Sequence, residues 1–163
     1  CMCLQELGMK AVPYTGWQVP IITDGKFGEA SIKHIGIHRI MKDLKEGNIV
    51  VVAGFQGVDE KQNITTLGRG GSDTTAVALA AAFKAIRCDI YTDVDGVYSA
   101  DPRKKKDAVK FDKISYDDML NLANTGAKVL HNKCVELGKQ YQVPIIVKSS
   151  FKREQNGTLV TDL

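Results

Sequence analysis

The chain has 163 residues, of which 44% are hydrophobic and 25% are charged, and its net charge is +3. This length suits one ordinary domain with a buried core, and the composition is that of a globular protein. The net charge is too small to indicate a nucleic-acid partner, and no apolar run approaches the roughly 20 residues that a membrane-spanning helix needs.

The four cysteines predict neither a metal site nor a redox motif, because no C-x-x-C pair is present. Reduced thiols in a cytoplasmic protein are the simpler interpretation. His34 and His38 are four residues apart, but Gly36 separates a predicted strand from a predicted helix, so the two side chains would not share a helical face. We expect a packing or surface role for both histidines.

Short elements fill the first part of the chain. The chain opens with Cys1 in what reads as the tail of a helix, so we expect a preceding part to be absent. The predicted elements are a helix tail over 1–7 capped by Gly8, strands over 10–14, 21–23 and 30–35, and a helix over 37–46 ended by Gly47.

The middle of the chain contains the pattern that the remainder is organised around. Residues 49–55 are rich in β-branched side chains and predict a buried strand. Residues 57–67 form a polar loop, which is either a solvated hairpin or a flap beside the next segment. Residues 68–73 (GRGGSD) then lead into an alanine-rich helix over 74–85. We call residues 68–73 the glycine turn.

The glycine turn has the composition of an anion-binding site. Glycines allow backbone N–H groups to approach a ligand closely, and the start of a helix adds unpaired N–H groups and a positive dipole end. Arg69 adds a planar fork that suits a carboxylate or a phosphate.

Strands and helices alternate through the last part of the chain. We predict a strand over 89–94, a turn at Asp95-Gly96, a helix over 116–124 capped by Ser115 with Asp118, a helix over 128–141, and strands over 143–148 and 158–160. Lys104, Lys105 and Lys106 are interpreted as a solvated run of charge.

This alternation predicts an α/β fold with a mostly parallel sheet covered by helices on both faces. Ligands bind beyond the carboxyl ends of such strands. We therefore expect strands 49–55 and 89–94 to share one sheet and to bring the glycine turn and Thr92-Asp93 to the same edge. The dinucleotide fingerprint and the Walker A loop do not fit, so pattern alone predicts only a site for a phosphorylated or carboxylated small molecule.

Three segments resemble the aspartate kinases of the amino acid kinase superfamily. They are residues 67–76 (LGRGGSDTTA), 91–103 (YTDVDGVYSADPR) and 126–131 (GAKVLH), and the similarity continues at 157–160 (GTLV). The resemblance implies a three-layer sandwich that is incomplete at its amino-terminal side. Residues 1–48 would belong to the substrate lobe, and residues 49–163 would form the nucleotide-binding lobe together with the glycine turn.

The resemblance also implies an activity. ATP with Mg²⁺ would phosphorylate the side-chain carboxylate of L-aspartate to 4-phospho-L-aspartate, the first step toward lysine, threonine and methionine. Arg69 would clamp a carboxylate of aspartate, and Gly70, Gly71 and Ser72 would contact the same substrate. Asp73 would be the catalytic residue, an aspartate that orients nearby cations and does not act as a strong base. Without the resemblance, Asp73 is interpreted as a helix N-cap, a role that it could have at the same time.

The implied nucleotide residues lie later in the chain. Thr92 and Asp93 would contact the base or ribose, and Tyr98 would pack on the adenine or the sugar. Without the resemblance, a strand terminus followed by a turn is the better explanation of Thr92 and Asp93, and a lone tyrosine is more often a core or surface residue. Arg103 and Lys128 would face the phosphates.

Two family segments have no counterpart in the sequence. The opening Lys-Phe-Gly-Gly-Thr segment would precede Cys1, and the regulatory ACT domains would follow Leu163, so we expect this chain alone to be inactive or nearly so. The resemblance also implies that the complete protein is a homo-oligomer. The alternatives are a non-catalytic nucleotide- or amino-acid-binding module and a sibling kinase with another acid substrate. Arg69, Ser72 and Asp73 together argue against the sibling, and an upstream Lys-x-Gly-Gly segment would favour the enzyme over the module.

Overall fold

The structure is a computed structural model that describes residues 1–124, 129–152 and 154–162. The chain divides into two compact units, Cys1–Thr75 and Ala76–Leu163. Among the described helices, none combines the length and the apolar character that crossing a bilayer would require. The assignment of residues 1–48 and 49–163 to two functional lobes stays a prediction.

The first unit contains short strands and two helices before the start of a longer helix. Its elements are α1 Met2–Glu6, β1 Ala11–Tyr14, β2 Ile21–Thr23, β3 Ile32–Ile35, α2 His38–Lys45, β4 Ile49–Val52, β5 Gln56–Val58, β6 Ile64–Thr66 and the beginning of α3 Gly71–Phe83. β1 and β4 form a parallel pair. The other sheet has the order β3-β2-β5-β6, in which only the β2–β5 pair is parallel.

Local sequence signals explain how the helices of this unit end and pack. Gly8 has a φ of 77°, its N–H donates to the Gln5 carbonyl, and the Met9 N–H donates to the Leu4 carbonyl. This is a Schellman motif, and it confirms the predicted glycine cap. α2 is fixed to β1 because the Tyr14 hydroxyl donates to the Asp43 carboxylate.

β4 differs from the prediction in two ways. We expected a buried strand, but Ile49 and Val51 are 39% and 36% exposed. We also expected β4 to share a sheet with strand 89–94, but the described strands pair β4 with β1 only. The prediction was wrong because a run of β-branched residues indicates a strand without indicating which strands pair with it.

The second unit is built on a four-stranded sheet. After α3 come β7 Cys88–Thr92, β8 Lys113–Ile114, α4 Tyr116–Asn124, α5 Asn132–Tyr141, β9 Ile145–Ser149 and β10 Thr158–Val160. The strand order is β7-β9-β10-β8. The β7–β9 and β8–β10 pairs are parallel, and β9–β10 is antiparallel. The sequence prediction did not include β8, which has only two residues.

Apolar side chains from the helices and the sheet form the core of this unit. Tyr116, Met119 and Ile145 are almost fully inaccessible to solvent. The buried Tyr116 hydroxyl donates to the Val143 carbonyl at 2.7 Å, so its polar atom is satisfied. Gly138 allows α5 to pack closely, because a Cβ there would lie 2.8 Å from Cδ1 of Ile145. Burial of each large apolar side chain contributes about 1.5–3 kcal/mol.

Of the two helix starts predicted in this unit, that of α4 is confirmed and that of α5 is wrong. The Asp118 N–H donates to Ser115 Oγ at 3.0 Å and the Ser115 hydroxyl donates to Asp118 Oδ2 at 2.7 Å, which confirms the predicted cap of α4. The predicted start of α5 at residue 128 was wrong. α5 begins at Asn132, because His131 is extended and its Nδ1 caps the helix by accepting from the Lys133 N–H.

Candidate functional site

The polar loop before the glycine turn is a hairpin. β5 and β6 pair antiparallel, with Gln56 opposite Thr66 and Val58 opposite Ile64. Asp59 closes the loop by accepting hydrogen bonds from Asn63 and from the Lys61 N–H. The Asn63 side chain is the main reason that the pKa of Asp59 lies below its usual range. The hairpin interpretation of residues 57–67 is therefore confirmed.

The backbone conformation and the close packing of the glycine turn require residues that have no side chain. Gly68 and Gly70 have φ values of 75° and 71°, a region that L-residues with side chains rarely adopt. A Cβ on Gly68 would lie 2.7 Å from the backbone oxygen of Gly28, and a Cβ on Gly71 would lie 2.8 Å from Cδ2 of Phe55. The backbone of the turn is therefore packed more closely than any larger residue would allow.

α3 begins inside the turn, at Gly71, three residues earlier than predicted. Ser72 is exposed, and Asp73 lies within the first helical turn, where a negative charge interacts favourably with the helix dipole. The alternative that Asp73 is the N-cap is wrong, because the cap position precedes Gly71. The Arg69 side chain is exposed, and the described residues place no ion pair on it.

Phe55 is the residue of this region that the sequence prediction missed. Its φ is 71°, an uncommon and strained value for a bulky residue. The strained backbone is held from both sides, because the Phe55 N–H donates to Thr75 Oγ1 at 3.1 Å and its carbonyl accepts from the Leu67 N–H at 2.9 Å. No sequence pattern marks an aromatic residue for this conformation.

The second unit contains a cavity of about 800 Å³ beyond the carboxyl ends of β7 and β9. We call it the β7–β9 cavity. β7 and β9 are parallel neighbours, and Thr92 is in register with Ser149, so the segments that follow them meet at one edge of the sheet. The predicted residues Thr92, Asp93, Tyr98 and Arg103 all line this cavity.

The cavity wall also includes residues that the sequence prediction did not assign. Leu122 and Val129 add apolar surface, and Asp95 and Lys152 add charge. The Ser149 hydroxyl oxygen accepts from the Lys152 N–H at 3.2 Å and so fixes the chain where Lys152 projects. Lys128, which was predicted to face the phosphates, lies outside the described residues.

Asp95 connects the polar groups of the cavity. The Tyr98 hydroxyl donates to Asp95 Oδ1 at 3.0 Å, and Lys152 Nζ lies 3.6 Å from Asp95 Oδ2. Burial raises the pKa of Asp95, but the Tyr98 hydrogen bond, with Lys110 and Lys152 nearby, outweighs burial and leaves the pKa below its usual range. Burial and then the Asp95 carboxylate raise the pKa of Tyr98. The phenol therefore donates to an ionised carboxylate at neutral pH.

The structure thus brings the predicted residues together in two groups. Arg69 to Asp73 lie together in the first unit, and the residues predicted to bind the nucleotide, as far as the structure describes them, line one cavity in the second unit. Convergence of the two groups stays a prediction. Among the described residues, no three His, Cys, Asp or Glu side chains form a group that could hold a metal ion.

Comparison with known proteins identifies the family. The model of the amino acid kinase family matches residues 1–149. The chain belongs to this family. It is 59% identical over 161 residues to an aspartokinase of Geobacillus stearothermophilus and 58% identical over 161 residues to aspartokinase 2 of Bacillus subtilis, covering 99% of this chain in each case. The chain spans 39% of the length of these curated relatives.

A solved structure agrees with the sequence relatives. Aspartokinase III of E. coli, in complex with aspartate and ADP, matches 98% of this chain and 36% of its own chain, with a TM-score of 0.88 and 36% identity. This confirms the α/β fold class of the amino acid kinases and the resemblance to aspartate kinases. The roles of the individual residues stay predictions.

Proposed function

We propose that the protein to which this amino acid kinase chain belongs is an aspartate kinase, which transfers the γ-phosphoryl group of ATP to the side-chain carboxylate of L-aspartate. The observation that carries the proposal is the 58–59% identity to aspartokinases over 99% of the chain. The E. coli relative binds aspartate and ADP together, which are one substrate of this reaction and the nucleotide that remains after it.

The glycine turn is the proposed aspartate site. Arg69 is exposed and can offer two parallel N–H groups to a carboxylate. Gly70 and Gly71 are proposed to contact the substrate through their backbone, and Ser72 adds an exposed hydroxyl. Asp73 is proposed to orient the cationic groups around the reacting carboxylate, because an ionised carboxylate in the first turn is a weak base.

The β7–β9 cavity is the proposed ATP site. Its volume of about 800 Å³ falls within the range of small-molecule sites. Tyr98, Leu122 and Val129 offer an aromatic and apolar surface for the base. Arg103 offers a cation for the phosphates, and Lys128 is proposed to join it. Thr92 and Asp93 would contact the base or the ribose.

Catalysis of phosphoryl transfer depends mainly on positioning the two reactants and on neutralising the negative charge that is spread over the oxygens of the transferred group. Mg²⁺ bound with ATP supplies much of that neutralisation and takes most of its ligands from phosphates and water. A protein that holds Mg²⁺ in this way needs only one or two carboxylates. The complete protein is proposed to be a cytoplasmic homo-oligomer.

The test is an ATP-dependent assay on the full-length protein in which hydroxylamine traps the acyl phosphate. Aspartate should give the hydroxamate, and glutamate should give at least about tenfold less, since one extra methylene displaces the reacting carboxylate. Equal products from the two acids would indicate a sibling kinase. ATP binding without any product would indicate a non-catalytic binding module.

A further inference from the structure

We propose that Asp95 is a positioning residue for the nucleotide: its carboxylate fixes the Tyr98 ring as a wall of the β7–β9 cavity. The proposal rests on the proposed function, because it concerns how the same cavity would hold ATP. Asp95 lies in an Asp-Gly turn, where sequence alone explains it as a turn residue. Its side-chain contacts indicate a second role.

The backbone that follows Asp95 is fixed by other residues. The Val97 N–H donates to the buried Thr158 hydroxyl oxygen at 2.9 Å, and the Val97 carbonyl accepts from the Phe111 N–H at 2.9 Å. Tyr98 then pairs with Lys110 in an isolated β-bridge. These contacts hold Val97 and the backbone of Tyr98 without the bond between the Asp95 carboxylate and the Tyr98 hydroxyl.

What the backbone leaves free is the orientation of the Tyr98 side chain, which has two rotatable torsions. The hydrogen bond from the Tyr98 hydroxyl to Asp95 Oδ1, at 3.0 Å, fixes the position of the hydroxyl oxygen and so restricts χ1. Because a phenolic O–H prefers the plane of its ring, the same bond also favours one orientation of the ring about χ2. Because the acceptor is ionised and its side chain is only 18% exposed, this bond is stronger than a neutral pair in water. An aromatic wall that is ordered before the ligand arrives lowers the entropic cost of binding.

The charge of Asp95 would otherwise oppose an anionic ligand. Its second oxygen faces Lys152 Nζ at 3.6 Å, and Lys110 is also near enough to lower its pKa. These cations compensate the carboxylate within the cavity. Asp95 can therefore orient Tyr98 without adding an uncompensated negative charge beside the phosphates.

A double-mutant cycle on the full-length protein tests the proposal. The variants are Asp95→Ala, Tyr98→Phe and the double substitution, and the measured quantity is the Kd for ATP by calorimetry. Each single substitution should weaken ATP binding about tenfold, and the double variant should bind no more than about threefold more weakly than either single one, because both remove the same contact. The aspartate KM should not change.

Two further variants separate positioning from general stability. Asp95→Asn keeps an oxygen that can accept from Tyr98 and should bind ATP within about threefold of the wild type. Asp117→Asn is the matched control, because Asp117 also pairs with a lysine, Lys139, but does not line the cavity. Its ATP affinity should equal that of the wild type.

Three results would overturn the proposal. The first is a double variant about a hundredfold weaker than the wild type, which would mean that the two effects are independent. The second is a Tyr98→Phe variant with unchanged affinity, and the third is an Asp95→Ala variant that binds ATP more tightly. If the wild type itself does not bind ATP, the proposed function fails first, so the two failures are distinguishable.

Discussion

In the glycine turn, the backbone folds tightly because side chains are missing, whereas the β7–β9 cavity owes its shape to side chains that bond one another. Gly68 and Gly70 have positive φ values, and a Cβ on Gly68 would meet the backbone of Gly28. In the cavity, Asp95 accepts from Tyr98 and pairs with Lys152. A substitution in the turn should therefore act through steric exclusion, and one in the cavity through the loss of individual bonds.

The two regions share one structural feature, a buried threonine whose hydroxyl hydrogen-bonds to two separate stretches of backbone. Thr75 Oγ1 accepts from the Phe55 N–H and donates to the Gly71 carbonyl. Thr158 Oγ1 accepts from the Val97 N–H and donates to the Phe111 carbonyl. Each hydroxyl thus satisfies a backbone donor beside the proposed site, and the comparison can be tested with matched variants.

Gly68→Ala should have the largest effect on stability. The substitution forces a side chain into a positive-φ position and places its Cβ 2.7 Å from the Gly28 backbone oxygen. We expect the free energy of unfolding to fall by about 2–4 kcal/mol, measured by urea denaturation.

Gly47→Ala is the control for that experiment. Gly47 has a similar φ, 78°, but a Cβ there would have no neighbour within 4 Å. Gly47→Ala should lower the free energy of unfolding only by the cost of placing a side chain at a positive φ, about 1–2 kcal/mol. Equal losses for the two variants would show that close backbone packing does not shape the glycine turn.

Thr75→Val and Thr158→Val should each destabilise the protein less than Gly68→Ala does, and each should affect the KM of a different substrate. Each replaces a buried hydroxyl by a methyl group and leaves a backbone N–H without its partner, so each should cost about 1–3 kcal/mol of unfolding free energy. Thr75→Val should raise the aspartate KM of the full-length protein, and Thr158→Val should raise the ATP KM. Steady-state kinetics with each substrate varied in turn provides the measurement.

Thr74→Val is the matched control for Thr75→Val. The Thr74 hydroxyl donates to the Gly70 carbonyl but accepts from no backbone N–H in the described part of the chain. Its loss should cost less than about 1 kcal/mol. If both neighbouring variants lose the same stability, or if either buried threonine affects both substrates equally, the separation of the two regions is contradicted.

Acid should have the smallest effect, and it should act on both units. The pKa of Asp24 is lowered chiefly by the Ser31 N–H and that of Asp59 chiefly by Asn63, and the bond from Tyr98 helps to lower that of Asp95 against the effect of burial. A carboxyl whose folded pKa is depressed stabilises the fold above its unfolded pKa, and this contribution is lost as the pH falls through the folded pKa.

The melting temperature should therefore be level from about pH 7 to pH 5 and should fall below about pH 4. Asp59→Asn should make this decrease shallower, because one of the depressed carboxyls is removed. A melting temperature that rises on acidification would mean that these carboxylates do not stabilise the fold.

Much of the local structure could be predicted from the sequence, because its signals are local. Gly8 and Ser115 mark a helix end and a helix start, and the structure has both caps. The glycine turn and the segment that contains Thr92, Asp93 and Tyr98 could each be identified from a short continuous stretch of sequence. Each of these features is determined within a few positions along the chain.

The contacts that hold the proposed sites together could not be predicted in this way. Thr158 contacts Val97 across 61 positions of sequence, and Thr75 contacts Phe55 across 20. No periodicity indicates such pairs. The pairing of β4 was missed for the same reason, since the choice of a neighbouring strand depends on the whole fold and not on the β-branched residues of the strand itself.

The most direct measurement is a crossed kinetic comparison of Arg69→Ala and Arg103→Ala in the full-length protein. Both side chains are exposed, so neither substitution should change stability by more than about 0.5 kcal/mol. Arg69→Ala should raise the aspartate KM about tenfold or more and leave the ATP KM unchanged, because only the aspartate carboxylate would lose its clamp.

Arg103→Ala should show the opposite pattern, with a higher ATP KM and an unchanged aspartate KM. This crossing is the result expected if the glycine turn binds the acid and the β7–β9 cavity binds the nucleotide. An Arg69→Ala variant with weaker ATP binding and unchanged aspartate kinetics would contradict that assignment directly.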